Sequence, residues 1–261
     1  MIEMPRATNS RAVQSLRAAM LAIAVFTVTP VHAQDATSRD PQTMPSVGSV
    51  LSALPTDLRA LPTVANAVWL ASAGGLAFAV HENDSAITEG AAGSPNLEDF
   101  LDGGSPFGNG FVQGGGALGT YVVGRWTHRP QIASVGGELL RAQLINAGLT
   151  HGVKFIVNRE RPDGGSYSFP SGHTSATFAS ATVLYRHFGW KAGVPGYALA
   201  TYVAGSRLSE NAHFLSDVLF GAGIGIVSGR TVTVGRAHPF VIAPAVGPGV
   251  VGVSVTMVPR Q

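Results

Sequence analysis

Six apolar stretches, separated by polar or glycine-rich breaks, organise this 261-residue chain: residues 63–80, 107–126, 132–157, 171–188, 195–206 and 214–229. Each reads as a helix, and the fold class they predict is all-α, a bundle of about six helices whose last four present the chemistry below. Residues 83–105, rich in Gly, Asp, Glu and Asn, read as a long loop between the first two helices. At its start, His81, Glu82, Asn83 and Asp84 read as a helix end entering that loop rather than as a metal site. The run Gly114-Gly115-Gly116 lacks the Lys and Ser/Thr of a phosphate loop and reads as a place of close helix contact. From Thr231-Val232-Thr233-Val234 onward the pattern changes, and residues 240–243 and 250–258 predict a short β-like C-terminal appendage, an antiparallel ribbon.

The N-terminus sets the expected compartment. Arg6, Arg11 and Arg17 precede an apolar run from Ala18 to Val28, and Val31-His32-Ala33 follows as a small-residue cleavage pattern. Residues 1–33 therefore read as a secretory signal peptide, because the run is short for a bilayer span. The protein is then exported to the periplasm or cell envelope. Residues 34–55, rich in Pro, Ser, Thr and Asp, read as a flexible leader, residues 56–230 as one helical domain and 231–261 as the extension. Three of the 17 Lys and Arg and one of the 15 Asp and Glu lie before residue 34. The remainder is balanced in charge, which argues against a nucleic-acid partner. The chain has no Cys, so it has neither disulfides nor thiol chemistry.

Three polar blocks interrupt the apolar pattern. In the first, Lys154 and Arg161 are seven apart on what reads as one helix end that Pro162 stops, so both project from one face. Arg grips two oxygens in a fork and Lys acts as a point charge, a pairing suited to a tetrahedral oxyanion. In the second, Pro170-Ser171-Gly172-His173, Ser171 reads as an N-cap. The free N–H groups of such a first turn attract anions, and Gly172 admits close approach to the backbone. His173 is placed there as a proton donor. In the third, Ser206 and Arg207 are followed by His213 and then Asp217. The i, i+4 spacing puts imidazole and carboxylate on one helix face, leaving the second ring nitrogen as a nucleophile or base. Singly, each block also suits an ordinary capped or dipole-stabilised helix end; jointly they supply what holding, attacking and protonating a phosphate ester requires.

The three blocks together resemble the type 2 phosphatidic acid phosphatase and vanadium haloperoxidase superfamily, which includes the bacterial class A acid phosphatases. That family's pattern is Lys, six residues, Arg-Pro; then Pro-Ser-Gly-His; then Ser-Arg, five residues, His, three residues, Asp, and every defined position is filled here. The resemblance covers roughly residues 63–230. It implies that His213 takes the phosphoryl group, that Asp217 orients it, and that His173 protonates the leaving group and later activates water. Lys154, Arg161, Ser171, Gly172 and Arg207 would bind the phosphoryl oxygens. It implies no metal and no cofactor. The chain departs from many members at Asn211, where Gly is common two residues before the nucleophile, and Asn tolerates the left-handed backbone better than most residues. A vanadium haloperoxidase, or a non-enzymatic envelope protein, is the alternative reading.

Gly221, Gly225 and Gly229 repeat every four residues, as at close helix contacts in membranes. Most apolar runs nevertheless fall short of the roughly 20 residues a span needs. The pattern favours an exported, soluble or membrane-associated protein, with an integral form close behind. An embedded site would favour a lipid phosphate as partner, a soluble one a phosphorylated small molecule.

Overall fold

The structure, a computed structural model, describes residues 43–234 and the backbone of 240–247 and 250–257. The expected signal peptide and the first residues of the leader lie outside the described residues. Among the described residues the short helices α1 (Val47–Ser52) and α2 (Leu54–Arg59) precede α3 (Val64–His81). Three more follow, α4 (Asp84–Ala92), α5 (Pro95–Leu101) and α6 (Ser105–Gly108). The long helices are α7 (Gly110–Trp126), α8 (Pro130–Val157), α9 (Gly172–Phe188), α10 (Trp190–Ser209) and α11 (Leu215–Val232). The fold is all-α. A two-stranded antiparallel ribbon, β1 (Phe240–Gly247) and β2 (Val250–Met257), pairs Phe240 with Met257 and Gly247 with Val250.

The six apolar stretches correspond to α3 and α7 to α11, with four differences from the sequence expectation. Residues 83–105 form three short helices rather than a loop. Pro95 and Pro106 sit in the first turns of α5 and α6, where the fixed φ favours a helix start, and Asp84 and Thr88 are buried in the bundle. The expected flexible leader, residues 34–55, contains α1, capped by Ser46, whose Oγ accepts from Ser49 N–H at 3.1 Å. Its Val50 is buried with Tyr121 and Ala133. Helix α10 begins at Trp190, not at residue 195. Gly189, at φ 70°, makes the break from α9, and Pro195 lies inside the helix. Thr231 and Val232, expected in the β-like segment, complete α11, where Thr231 Oγ1 bonds the Val227 carbonyl at 2.8 Å.

Glycines bring the helices together, those of α11 as their spacing suggested but not the Gly114–Gly116 run. Gly114, Gly115 and Gly116 face open space, so that run makes no close helix contact. The α7–α8 crossing relies on Gly124 and Gly136 instead. A Cβ on either would lie 2.2 Å from a backbone nitrogen of the facing helix, Ala133 or Tyr121. On α11, Gly221, Gly225 and Gly229 press against α9: a Cβ at Gly225 would sit 2.3 Å from the Ser175 carbonyl oxygen. Gly223, on the other face, meets Ala73 of α3. Replacing Gly225 by Ala therefore forces α9 and α11 apart, and is expected to cost about 1–3 kcal/mol, the usual penalty of overpacking. Thermal unfolding of this variant beside Gly115→Ala, which meets nothing, checks the assignment. Equal melting temperatures would refute it.

Glu138, Arg141 and Gln143 do not interrupt α8, because each has an interior partner. Arg141 Nε lies 2.7 Å from Asp57, Glu138 lies 2.8 Å from His187 Nε2, and Gln143 Nε2 donates to the Ala176 carbonyl and Ser180 Oγ at 2.9 Å each. By length and composition α3 and α11 could each cross a membrane. Helix α11 is mostly buried within the protein, whereas α3 presents Val64, Val68, Leu76 and Phe78 outward.

Candidate active site

The three polar blocks meet where the C-terminal end of α8 and the N-terminal ends of α9 and α11 converge. Helix α8 stops at Asn158, not at Pro162. Asn158 takes the left-handed conformation (φ 44°, ψ 45°), and its N–H bonds the Lys154 carbonyl at 2.9 Å. Arg161 thus lies beyond the helix, and the shared helix face expected for Lys154 and Arg161 does not exist. A turn brings them together instead: Arg161 N–H donates to the Gly165 carbonyl at 2.7 Å and Gly164 N–H to the Arg161 carbonyl at 3.0 Å. Ser168 N–H then bonds the Arg159 carbonyl at 2.7 Å, closing the loop. Gly164, at φ 84°, supplies a left-handed position that other residues resist.

Lys154 is buried, and its Nζ donates to the carbonyl oxygens of Tyr167 and Ser168. Burial and the adjacent Arg161 charge lower its pKa to about 8. Ser171, fully buried, caps α9, and its Oγ accepts from Thr174 N–H at 3.5 Å and from Thr174 Oγ1 at 3.0 Å. Its own N–H bonds the Asp217 carbonyl at 3.0 Å, fastening the start of α9 to the first turn of α11. A Cβ on Gly172 would lie 4.0 Å from Lys154 Cε, so the helix start and the lysine are neighbours. His173 packs against Gly108 of α6, where a Cβ would come within 2.6 Å of its own. Burial, then the charges of Arg207, His213, Arg161 and Lys154, lower the His173 pKa to about 4.

Arg207 lies in the last turn of α10. Its Nη1 donates to Ser105 Oγ of α6 and, at 2.5 Å, to Glu210. Asn211 is left-handed (φ 54°), the conformation its identity suggested, and its turn lets Ala212 and His213 N–H groups reach the Arg207 carbonyl. His213 precedes α11 rather than lying on it. The expected shared helix face is replaced by a helix-start arrangement. Asp217 Oδ2 accepts from Phe214 N–H at 2.9 Å and stands 3.5 Å from His213 Nδ1. Burial pushes the His213 imidazole below the usual histidine range, against the opposing pull of Asp217. Among the described residues, Nε of Arg161, Nε of Arg207 and Nδ1 of His213 are buried without a hydrogen-bond partner.

Several residues here escaped the sequence reading. Ser168 Oγ donates to Asp217, Ser105 and Glu210 hold Arg207, and Arg159 Nη1 donates to Asp217 Oδ1 at 2.9 Å. Arg159 had one signal, its place between the two cations of the first block. Ser105 and Asp84 had none, because only folding brings them near.

Arg207, His213, Arg161 and Lys154 all lie within electrostatic reach of His173, so the three cations and two imidazoles share one neighbourhood at the start of α9. The profile of the PAP2 superfamily matches residues 121–238, which include all three blocks. Over 98 residues it is 40% identical to the lipid A 1-phosphatase of Porphyromonas gingivalis, covering 36% of this chain and 21% of that protein. It is 30% identical over 98 residues to the lipid A 4'-phosphatase of Helicobacter pylori, covering 33% of this chain and 50% of that protein. The chain thus spans between a fifth and a half of the length of these curated relatives. Among solved structures, Aquifex aeolicus LpxE aligns at a TM-score of 0.47 with 22% identity, over 56% of this chain and 91% of that one. The transmembrane PAP2-type phosphatidylglycerolphosphate phosphatase of Bacillus subtilis aligns at 0.43 with 21% identity, over 71% and 92%.

Proposed function

We propose that this domain is a metal-independent phosphatase that removes a phosphate from a lipid through a phosphohistidine intermediate. One observation carries this reading: Lys154, Arg161 and Arg207 all lie close enough to His173 to act on its charge, and the Nε groups of Arg161 and Arg207 are buried and unpaired. A buried donor without a partner costs about 1–3 kcal/mol, which a tetrahedral oxyanion would offset. With Asp217 facing Nδ1, Nε2 of His213 is the attacking nitrogen. The N–P bond forms as the P–O bond to the leaving group breaks, and His173 gives its proton to the departing alkoxide. His173 then takes a proton from water as that water attacks phosphorus; the N–P bond breaks, its electron pair returns to His213, and the phosphate leaves. The cations, Ser171 and the Gly172 N–H hold the equatorial oxygens as charge builds. A dianionic substrate also counters the three cations, Arg207, Arg161 and Lys154, that together with burial depress His173, and so favours its protonated form.

The lipid assignment is supported by the names of the two curated relatives and by the apolar outer face of α3, which we place against a membrane. Export to the cell envelope follows from the N-terminal pattern. The reading is tested by phosphate release from para-nitrophenyl phosphate, phosphatidic acid, undecaprenyl pyrophosphate and lipid A with EDTA present. Release from a lipid in EDTA supports it; dependence on added metal, or preference for the soluble ester, overturns the corresponding part.

The Lys154 ammonium gives a pH signature. Its lowered pKa, about 8, means the charge is present below that pH and lost above it. Phosphate affinity is therefore expected to fall as pH rises past 8, and Lys154→Arg, which stays charged, is expected to move that limb upward. An unmoved limb in the arginine variant would assign the titration elsewhere.

A further inference from the structure

Arg159 belongs to none of the three blocks, yet its guanidinium joins two buried carboxylates. Nη1 donates to Asp217 Oδ1 at 2.9 Å and to Ser216 Oγ at 2.7 Å, while Nη2 donates to Asp84 Oδ2 at 2.9 Å. Its Cζ lies 4.0 Å above the Phe214 ring. Asp84 is held in turn. Its Oδ1 accepts from Ser216 N–H at 2.9 Å, its Oδ2 accepts from Ser216 Oγ, and His81 Nδ1 stands 3.3 Å away.

We propose that Arg159, clamped by Asp84, is a positioning residue that fixes the Asp217 carboxylate against His213 and sets the charge the imidazole feels. The inference rests on the reading of His213 as nucleophile. Asp217 Oδ2 is shared by Ser168, Phe214 N–H and the imidazole, so only Oδ1 remains to stop the carboxylate rotating about its bond. Arg159 occupies that oxygen. The planar fork of Arg suits this role: one nitrogen of the pair faces each carboxylate, and the flat ring of Phe214 supports its face. Electrostatically the row reads minus, plus, minus from Asp84 to Asp217, then the imidazole. The cation weakens the pull of Asp217 on a proton at His213, and Asp84 weakens the cation. The cations facing His213 are Lys154 and Arg161, and His173 is the further titratable group beside it. Asp84 lies in α4, outside residues 121–238, so a segment N-terminal to the matched domain takes part in organising the site.

The test uses Arg159→Gln, Arg159→Lys and Asp84→Asn in the full chain, with kcat, KM and pH profiles for whichever substrate the panel identifies. Arg159→Gln is expected to lower kcat about 100-fold with KM little changed, the size of effect that follows a small misplacement of a reacting group. Its acidic limb, which reports protonation of His213, is expected to move to higher pH because the proton-repelling cation is gone. Asp84→Asn leaves that cation less compensated, so the limb is expected to move to lower pH. Arg159→Lys keeps the charge without the fork, so it should hold the limb near wild type while kcat still falls. Opposite shifts separate positioning from general destabilisation, which moves neither limb. Limbs that stay together or shift the same way, or a kcat within twofold of wild type in Arg159→Gln, overturn the proposal. The ¹⁵N resonances of His213 titrated in the same proteins read the same shifts without turnover. An inactive wild type would therefore sink the phosphatase reading, while opposite shifts of those resonances would still support the Arg159 clamp and parallel or absent shifts would overturn it.

Discussion

His213→Ala is expected to abolish phosphate release, lowering kcat by roughly four orders of magnitude or more, as removal of a nucleophile that acts together with a base and an anion site does. The other imidazole of the candidate site cannot substitute. His173 sits at the start of α9, beneath Gly108 and in the field of Arg207, where it faces the leaving group's side of the phosphate in the proposed arrangement. The same substitution should leave the fold intact. His213 Nδ1 is 3.5 Å from Asp217, and that carboxylate keeps Ser168, Phe214 N–H and Arg159 when the ring is gone. Loss of activity with an unchanged helical spectrum and melting temperature is the expected result. Quenching wild type during turnover in alkaline detergent should also trap an acid-labile, base-stable phosphoenzyme that the variant lacks. Retention of more than a tenth of wild-type activity would end the phosphohistidine assignment.

Asp217→Asn is expected to damage both catalysis and stability, which distinguishes it from the nucleophile. Asp217 is fully buried and receives four donors or near-donors: Ser168 Oγ, Phe214 N–H, Arg159 Nη1 and His213 Nδ1. An amide offers one oxygen and turns an NH₂ toward groups that are themselves donors. Arg159 then keeps only Asp84 as a charged partner. Removing one member of a buried ion pair costs about 3–5 kcal/mol. In a domain of this size about 3 kcal/mol lowers the melting temperature by roughly 10 °C. Turnover should fall about 1,000-fold, because the imidazole loses both its orientation and the charge that stabilises its cationic form. Differential scanning calorimetry with kcat measured well below the transition checks both halves. A variant that melts like wild type would show that Asp217 bears little of the local structure, and one that turns over like wild type would deny it the orienting role.

Much of this molecule is legible in its sequence, for local reasons. The helical runs are continuous apolar stretches, so α3 and α7 to α11 declare themselves through composition alone. The chemical residues are conspicuous because Lys, Arg, His and Asp are few in such apolar surroundings and here fall in three short blocks. Their order along the chain carries the resemblance that names their parts. Ser171 as a cap and Asn211 as a left-handed residue are also local properties, set by one side chain and its own backbone.

What the sequence could not show depends on contact between distant segments. The polar composition of residues 83–105 suggested a loop, yet Asp84 and Thr88 are buried in α4, and Asp84 meets Ser216 and Arg159 across the fold. Identical-looking glycines differ for the same reason: Gly114 to Gly116 face space, while Gly124, Gly136 and Gly225 lie where another backbone passes. Spacing was misleading where it implied a helix face. Lys154 and Arg161 converge through the turn after Asn158, and His213 reaches Asp217 from outside α11. The sequence by itself determined the helices, the chemical groups and the order in which they occur. The tertiary structure decided which partners hold those groups, because burial and hydrogen bonding are properties of neighbours that only folding brings together.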